Sequence, residues 1–434
     1  MARGHKHIVG LDIGSSAIKA VELRRSGSSI ELLGRPAIVP TPENSVEGGV
    51  VVDTAAVAGA LNEACEMGGF KTKQTFVSVG GDSSVVVRIT EVPKMSGKEL
   101  DEAIQWELDR QTPFPIDQTI YDYQTIEPPD ADPNAQNMEV LIAVAQEDMV
   151  NAHVDSMLSA KMVPVAVDVE PLAISRALID VADGAYADQT IGIVHIGATA
   201  TLIIIVRKGL LTFVRSVPNA GGGLTGTIRQ NFMGDEKLAE YVKRQFADLS
   251  ESAYDTGEGT ALPPPPASDF DEGEVDSVFE ASAPDAVPTG RRSAETEAAV
   301  TQVDVPDTAL PSAPQPPAGT PDAALSGDEL AAREVVYEAI APSLVDLATE
   351  IRRSIDFYRR QHRNEEVDRL LLSGGSAVMK GLADFMAAET GITTTVADPF
   401  EHIQCEDKAV SRQYLHEIGP AMVVALGLAL RDMV

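Results

Sequence analysis

The feature that most limits how this chain can fold is a strand–glycine turn–strand unit that occurs twice. The first copy is His7–Leu23, HIVGLDIGSSAIKAVEL. Ile8, Val9, Leu11 and Ile13 lead into a polar turn, and Ile18, Ala20, Val21 and Leu23 lead out. The second copy is Ile191–Val206, IGIVHIGATATLIIIV. With Leu11–Leu23 laid on Val194–Val206, Ile13-Gly14 falls on Ile196-Gly197 and Ser15-Ser16 on Ala198-Thr199. Two matching β-hairpins far apart in one chain point to a duplicated unit.

The turns carry a chemistry. Gly14 has no Cβ, so backbone amides can come close to a ligand. Ser15 and Ser16 add hydroxyls, Lys19 adds a cation, and Asp12 is a hard oxygen ligand able to hold Mg²⁺ through water. Gly197 and Thr199 repeat the turn. Amides and a cation for phosphate, with a carboxylate for a metal, are what a nucleoside triphosphate requires. A solvated hairpin turn is the plainer reading of either copy alone. A third piece follows in order at Leu370–Leu382, LLLSGGSAVMKGL. There an apolar strand runs into Gly374-Gly375-Ser376 and an expected helix, a backbone on which an adenine or a phosphate can lie.

Two hairpins and a Gly-Gly loop in this order resemble the actin, Hsp70 and sugar-kinase ATPase superfamily. Within it the chain is most similar to the type IV pilus assembly PilM family, a relative of the cell-division protein FtsA. GLDIGSSAIKAVEL (10–23), QWELDRQTPFPIDQTIYDYQ (105–124), DVEPLAISRAL (168–178), NAGGGLTGTI (219–228) and AMVVALGLALR (421–431) carry that likeness. It implies an α/β chain with a duplicated RNase H-like (actin/Hsp70-type) two-lobe fold and an inserted small α+β subdomain. The expected division is lobe one from 1–81, 166–188 and 408–434, the inserted subdomain at 82–165, and lobe two from 189–250 and 330–407.

The resemblance also implies function: a cytoplasmic ATP-binding scaffold of type IV pilus assembly, serving twitching motility. Its implied partners are the N-terminal cytoplasmic peptide of a PilN-like membrane protein, received in a groove beside the 82–165 module, and components of the pilus motor and inner-membrane platform. ATP and Mg are the implied cofactors. Glu170, at a strand-to-helix crossover, is the candidate for orienting an attacking water; a carboxylate simply favoured by a helix N-terminus is the alternative. Gly222 and Gly223, before a helix, are candidate anion or ribose contacts, or an ordinary turn. Glu240 and Lys243 would contact the ribose by resemblance; by spacing alone they are a surface i,i+3 ion pair.

One departure matters. The family's second hairpin usually carries Asp where this chain has His195. A neutral imidazole does not replace a hard carboxylate, so ATP is expected to bind while its hydrolysis is weak or absent. Two other readings are an FtsA-like filament and a sugar-kinase-like phosphotransferase. The first lacks a basic amphipathic helix near Val434. The second lacks an Asp placed as a base after a substrate loop.

Charge bounds the rest. The formal net charge of −32 argues against nucleic acid as a partner and against a basic membrane-surface patch. Cys65 and Cys405, the two cysteines, cannot form a disulfide framework. His402, Cys405 and Asp407 lie close together, but no second ligand pair completes a zinc pattern. No apolar run follows the basic start Arg3–His7, and Ala421–Leu430 is too short to span a bilayer. The expectation is a cytoplasmic chain held peripherally at the inner membrane through partners.

Residues 251–329 stand apart, with seventeen acidic and two basic residues and twelve of the 27 prolines. Such a stretch buries too little apolar surface to offset ordering and is expected to be disordered. It is either a tolerated extension or an acidic tether for a basic partner. Elsewhere, Asp53 should cap a helix, and Ser96-Gly97-Lys98-Glu99 should open another as a capping box. Trp106, the only tryptophan, reads as core, with a partner surface as the alternative. In a long helix over Glu334–Arg363, Val335, Ala339, Leu344, Leu347, Ile351, Ile355 and Tyr358 form the expected buried stripe. A last helix over Gly419–Leu430 should return to lobe one, with Gly427 allowing close packing.

Overall fold

The computed structural model describes residues 5–81, 84–127, 134–182, 184–232, 235–250, 327–362, 364–405 and 410–434. The expected disordered insertion lies outside the described residues, except that Gly327–Glu329 already belong to a helix.

Lobe one opens with β1 (His7–Ile13), β2 (Ala17–Ser26) and β3 (Ser29–Pro40). A two-residue pair, β4 (Val46–Glu47) and β5 (Val50–Val51), leads to α1 (Thr54–Gly68) and β6 (Gln74–Val79). Asp53 caps α1, accepting from the amides of Ala55 and Ala56, and Gly69 ends it in the left-handed region at φ +64°. Next come β7 (Val85–Pro93), α2 (Lys98–Gln111), β8 (Thr119–Ile126), β9 (Asn137–Gln146) and α3 (Glu147–Ser159). Then β10 (Val163–Val169) and α4 (Glu170–Leu178) complete the first half.

Lobe two repeats the opening with β11 (Thr190–Ile196), β12 (Thr201–Arg207) and β13 (Leu210–Val217). Helices α5 (Gly221–Phe232), α6 (Glu236–Phe246) and α7 (Gly327–Gln361) follow. The chain continues through β14 (Arg369–Ser373), α8 (Leu382–Thr390) and β15 (Thr394–Val396), then β16 (Gln404–Cys405) and α9 (Arg412–Ala429).

Sheet topology establishes the duplication. Lobe one runs β10-β6-β1-β2-β3-β16, and lobe two runs β13-β12-β11-β14-β15. Leaving aside β16, which lobe one adds beside β3, each lobe in chain order places its strands 3-2-1-4-5. The first three are antiparallel and the last two join in parallel. This is the two-lobe actin-like architecture expected from the sequence. Parallel neighbours need crossover helices, which is why both faces of each sheet are covered.

Side-chain alternation sorts the cores. Val9, Leu11 and Ile13 of β1 pack under α1 and α3, whereas Ile8 joins a core shared with Ile191 and Ile193 of β11 and with α4 and α9. Val194 and Ile196 face the other way, onto α7. The shared core therefore lies between the two sheets, with α4 and α9 in it. Gly10 and Gly427 permit that closeness: a Cβ on Gly10 would meet Ala425 O at 1.9 Å, and one on Gly427 would meet Ala173 O at 1.8 Å.

Several expectations change. Trp106 is 61 % exposed, with the Arg110 guanidinium 4.9 Å from its ring centroid; α2 buries Leu100, Ile104 and Leu108 against the β7-β9-β8 sheet instead. The capping box is not made, because Gly97 is the cap residue at φ +59° with no side-chain bond. In α7 it is Val336 that is buried, while its neighbour Val335 is 45 % exposed. α3, expected in the inserted module, packs against α1 and supplies Met157 to the core of lobe one. β16 pairs with β3, so Gln404–Cys405 extend the sheet of lobe one.

Candidate functional site

The period of two places the first polar residues. Ile8, Gly10 and Asp12 share one face of β1, and Ile191, Ile193 and His195 share one face of β11. On both strands that face looks into the shared core, and the polar residue stands where the core ends. Asp12 and His195 are therefore aimed into the same inter-lobe space. The charges of Asp12 and Lys19 are both felt at His195.

In lobe one, Asp12 pairs in register with Lys19 across the hairpin. Lys19 Nζ donates to Asp12 Oδ2 at 2.9 Å, and both side chains are largely buried. The turn closes through Gly14 N–H to Ala17 O at 3.2 Å. Thr41, just past β3, braces it: its amide donates to Ser16 O at 3.1 Å and its hydroxyl to Gly14 O at 2.6 Å. A Cβ on Gly14 would stand 3.4 Å from Lys19 Nζ, so the ammonium flanks a bare Cα.

In lobe two the same register pair is His195 and Leu202. His195 is buried, its Nδ1 lies 3.0 Å from Ser373 Oγ, and burial pushes its pKa from 6.5 down to about 4. The imidazole is neutral at neutral pH. The turn closes through Gly197 N–H to Ala200 O at 3.0 Å. Among the described residues no protein acceptor takes the amides of Ser15, Ser16, Ala198 or Thr199. These are unpaired donors at the tips of both turns, as an anion site needs.

The start of α5 braces the second turn as Thr41 braces the first. Gly221 N–H donates to Gly197 O at 2.9 Å, and Gly222 N–H to Ala198 O at 2.8 Å. Gly223 N–H turns back to Ala220 O at 3.0 Å. The amides of Gly222 and Gly223 are thus taken up in shaping the turn. Glu240 and Lys243 of α6 form the i,i+3 ion pair that their spacing allows, with Glu240 partly exposed. Lys243 is buried, and its three N–H bonds go to Glu240 Oε2 at 2.6 Å, Thr225 Oγ1 at 2.8 Å and Gly221 O at 3.1 Å. Burial lowers the Lys243 pKa. Burial raises that of Glu240, but the Lys243 charge and its hydrogen bonds outweigh it and the net shift is downward. Lys243 thereby ties α6 to the start of α5.

The Gly-Gly loop meets this cluster. Gly374 has φ +94°, and a Cβ there would lie 2.2 Å from Ile196 O. Its amide donates to Pro420 O of α9 at 2.7 Å. Gly375 is exposed with open space beside it, and Ser376 Oγ lies where a Cβ on Gly221 would clash at 2.3 Å. The helix expected straight after this loop begins later, at Leu382. Glu170 heads α4, and its carboxylate covers the bare Cα of Gly80 at the end of β6.

Residues of lobe two therefore converge as Gly197, Gly221, Gly374 and Ser376, and face Asp12, Lys19 and the Ser15-Ser16 turn of lobe one. Sequence reasoning missed Thr41, and placed Ser373 at the head of the Gly-Gly loop without giving it a role. Ser373 immediately precedes the Gly-Gly pair, which was the available signal. A nucleotide polyphosphate fits these residues through unpaired amides, one ammonium and a bare Gly375 surface. A divalent cation does not fit, because the one carboxylate is ion-paired and its opposite number is an imidazole.

A family model described as type IV pilus assembly protein PilM matches residues 10–255 and 329–433. The structure is similar to a solved PilM-PilN type IV pilus biogenesis complex, with 25 % identity, 98 % of each chain covered and a TM-score of 0.72. Weaker likenesses are to the ethanolamine utilization protein EutJ from Carboxydothermus hydrogenoformans and to MreB 5 of Spiroplasma citri bound to AMPPNP. The first has 14 % identity over 98 % of this chain and 89 % of that one, with a TM-score of 0.48. The second has 12 % identity over 97 % and 94 %, with a TM-score of 0.42.

Proposed function

This chain belongs to the type IV pilus assembly protein PilM family, and from that we propose that it is an ATP-binding scaffold whose nucleotide state governs its grip on a membrane partner. The partner is the N-terminal cytoplasmic peptide of a PilN-like inner-membrane protein. Through it the chain sits peripherally at the cytoplasmic face of the inner membrane and contacts the motor and platform of the pilus. Among the described residues no helix is long and apolar enough to cross a membrane, so attachment through a partner is the route the reading uses.

The observation that carries the proposal is the likeness to the PilM-PilN complex along almost the full length of both chains. The site supports the nucleotide half. Polyphosphate lies between the Ser15-Ser16 and Ala198-Thr199 amides with Lys19 as its cation, and the base lies on the Gly374-Gly375 loop. Gly197 and Ser376 shape the second wall. Hydrolysis is slow, since His195 replaces a carboxylate and Glu170 is the one candidate for orienting water.

The test is binding of a synthetic tail peptide of the PilN-like protein to the full chain, with and without ATP. Saturable binding that changes with ATP is expected, and equal binding in both conditions overturns the coupling. Turnover of radiolabelled ATP, compared with His195→Asp, tests the second half; rapid turnover by the wild type would refute it.

A further inference from the structure

The two hairpins differ at the position that sets the counter-charge of a polyphosphate. Asp12 is 5 % exposed, and Lys19 Nζ sits on its Oδ2 at 2.9 Å. The same register position in lobe two is His195, held by Ser373. Magnesium keeps several waters, dehydrates reluctantly, and at a polyphosphate is held through one or two carboxylates together with the phosphate oxygens. Here the only carboxylate at the turns is already compensated by an ammonium on the same hairpin. Among the described residues no three His, Cys, Asp or Glu side chains stand together as a metal site.

Lys19 is well placed to serve an anion and Asp12 together. An ammonium has three donors, and one is spent on Asp12. The bare Cα of Gly14 beside it leaves a phosphate free to approach. A carboxylate at position 195 would add a second negative charge within the field of Asp12, and a dication would then be needed to hold a polyphosphate there.

We infer that this chain takes its nucleotide as the metal-free polyphosphate, with Lys19 supplying the counter-charge and the imidazole at position 195 making a divalent cation dispensable. The inference rests on the ATP-binding reading above and narrows it: the ligand is the free anion of a nucleoside di- or triphosphate, not its magnesium complex.

The experiment is calorimetric titration of the full chain with ATP, once in EDTA and once in excess Mg²⁺. The wild type is expected to bind with affinities within about 3-fold of each other. His195→Asp is expected to lose at least about 10-fold in EDTA and to recover it in Mg²⁺. If burying that carboxylate unfolds the chain, His195→Asn, which can keep a bond to Ser373, is read in its place and should stay indifferent to Mg²⁺. Lys19→Met should weaken the EDTA binding by about 30-fold. Wild-type binding that appears only with Mg²⁺ overturns this inference and leaves the nucleotide reading standing. Binding in neither buffer removes the nucleotide reading, and the inference falls with it.

Discussion

The hairpins β1–β2 and β11–β12 share a backbone and differ in what they do with charge. Both close through a glycine amide onto an alanine carbonyl, and the segment after the third strand braces each. In lobe one the brace is a single threonine. In lobe two it is the first turn of a helix, itself pinned from behind by the buried Thr225–Glu240–Lys243 network. Lobe one puts an ion pair on the inter-lobe face, whereas lobe two puts a neutral imidazole and a leucine there. Duplication preserved the geometry of the turns, and the chemistry of the two halves separated upon it.

The strongest way to break the comparison is at the loops after the fourth strands. Gly374→Val must hold a β-branched residue at φ +94° against Ile196 O, and is expected to cost roughly 4 kcal/mol or to prevent folding. Gly80→Ala meets only the end of the Glu170 side chain, and should cost about 1 kcal/mol. Urea unfolding of both variants measures the contrast.

Next comes acid. The unfolded state protonates His195 near 6.5 and the folded state not until about 4. The stability it contributes is complete above 6.5 and falls as pH drops through that window, by roughly 3 kcal/mol at the limit. Thermal melts between pH 7 and pH 4 should show a steeper loss in the wild type than in His195→Asn.

Removing the cation of lobe one is smaller. Lys19→Met should weaken ATP binding by about 2 kcal/mol, while Leu202→Met at the matching place in lobe two should change it by less than about 0.5 kcal/mol. Titration calorimetry reads both. Thr225→Val removes one link in the network behind α5 and should cost about 1 kcal/mol of stability. Trp106→Ala, at an exposed site outside both lobes' cores, should cost about 0.5 kcal/mol in the same assay.

Much of the arrangement could be read from local pattern. Alternation in His7–Leu23 and Ile191–Val206 gave both hairpins their ends and set Asp12 before and Lys19 after the first turn, while their register pairing is a feature of the folded hairpin. What pattern could not give is which element covers a face. The helical spacing of Leu100, Ile104 and Leu108 left Trp106 undecided until the three-stranded sheet beneath α2 was known. Val335 and Val336 differ by one step around a helix, and only the position of the lobe-two sheet distinguishes them. His195 and Ser373 are 178 residues apart, and no local signal joins them. The last helix, expected from Gly419, begins at Arg412. Ser411 caps it, and Pro420 lies inside.

The position of α9 has a consequence for biosynthesis. Its residues Met422–Leu430 complete the core in which Ile8 and Val21 of the first hairpin are buried. Those hairpin residues are synthesised well before their cover. Vectorial folding, in which an N-terminal domain is finished while the remainder is still being made, is therefore closed to this lobe. Its nascent sheet must wait until α9 has been made.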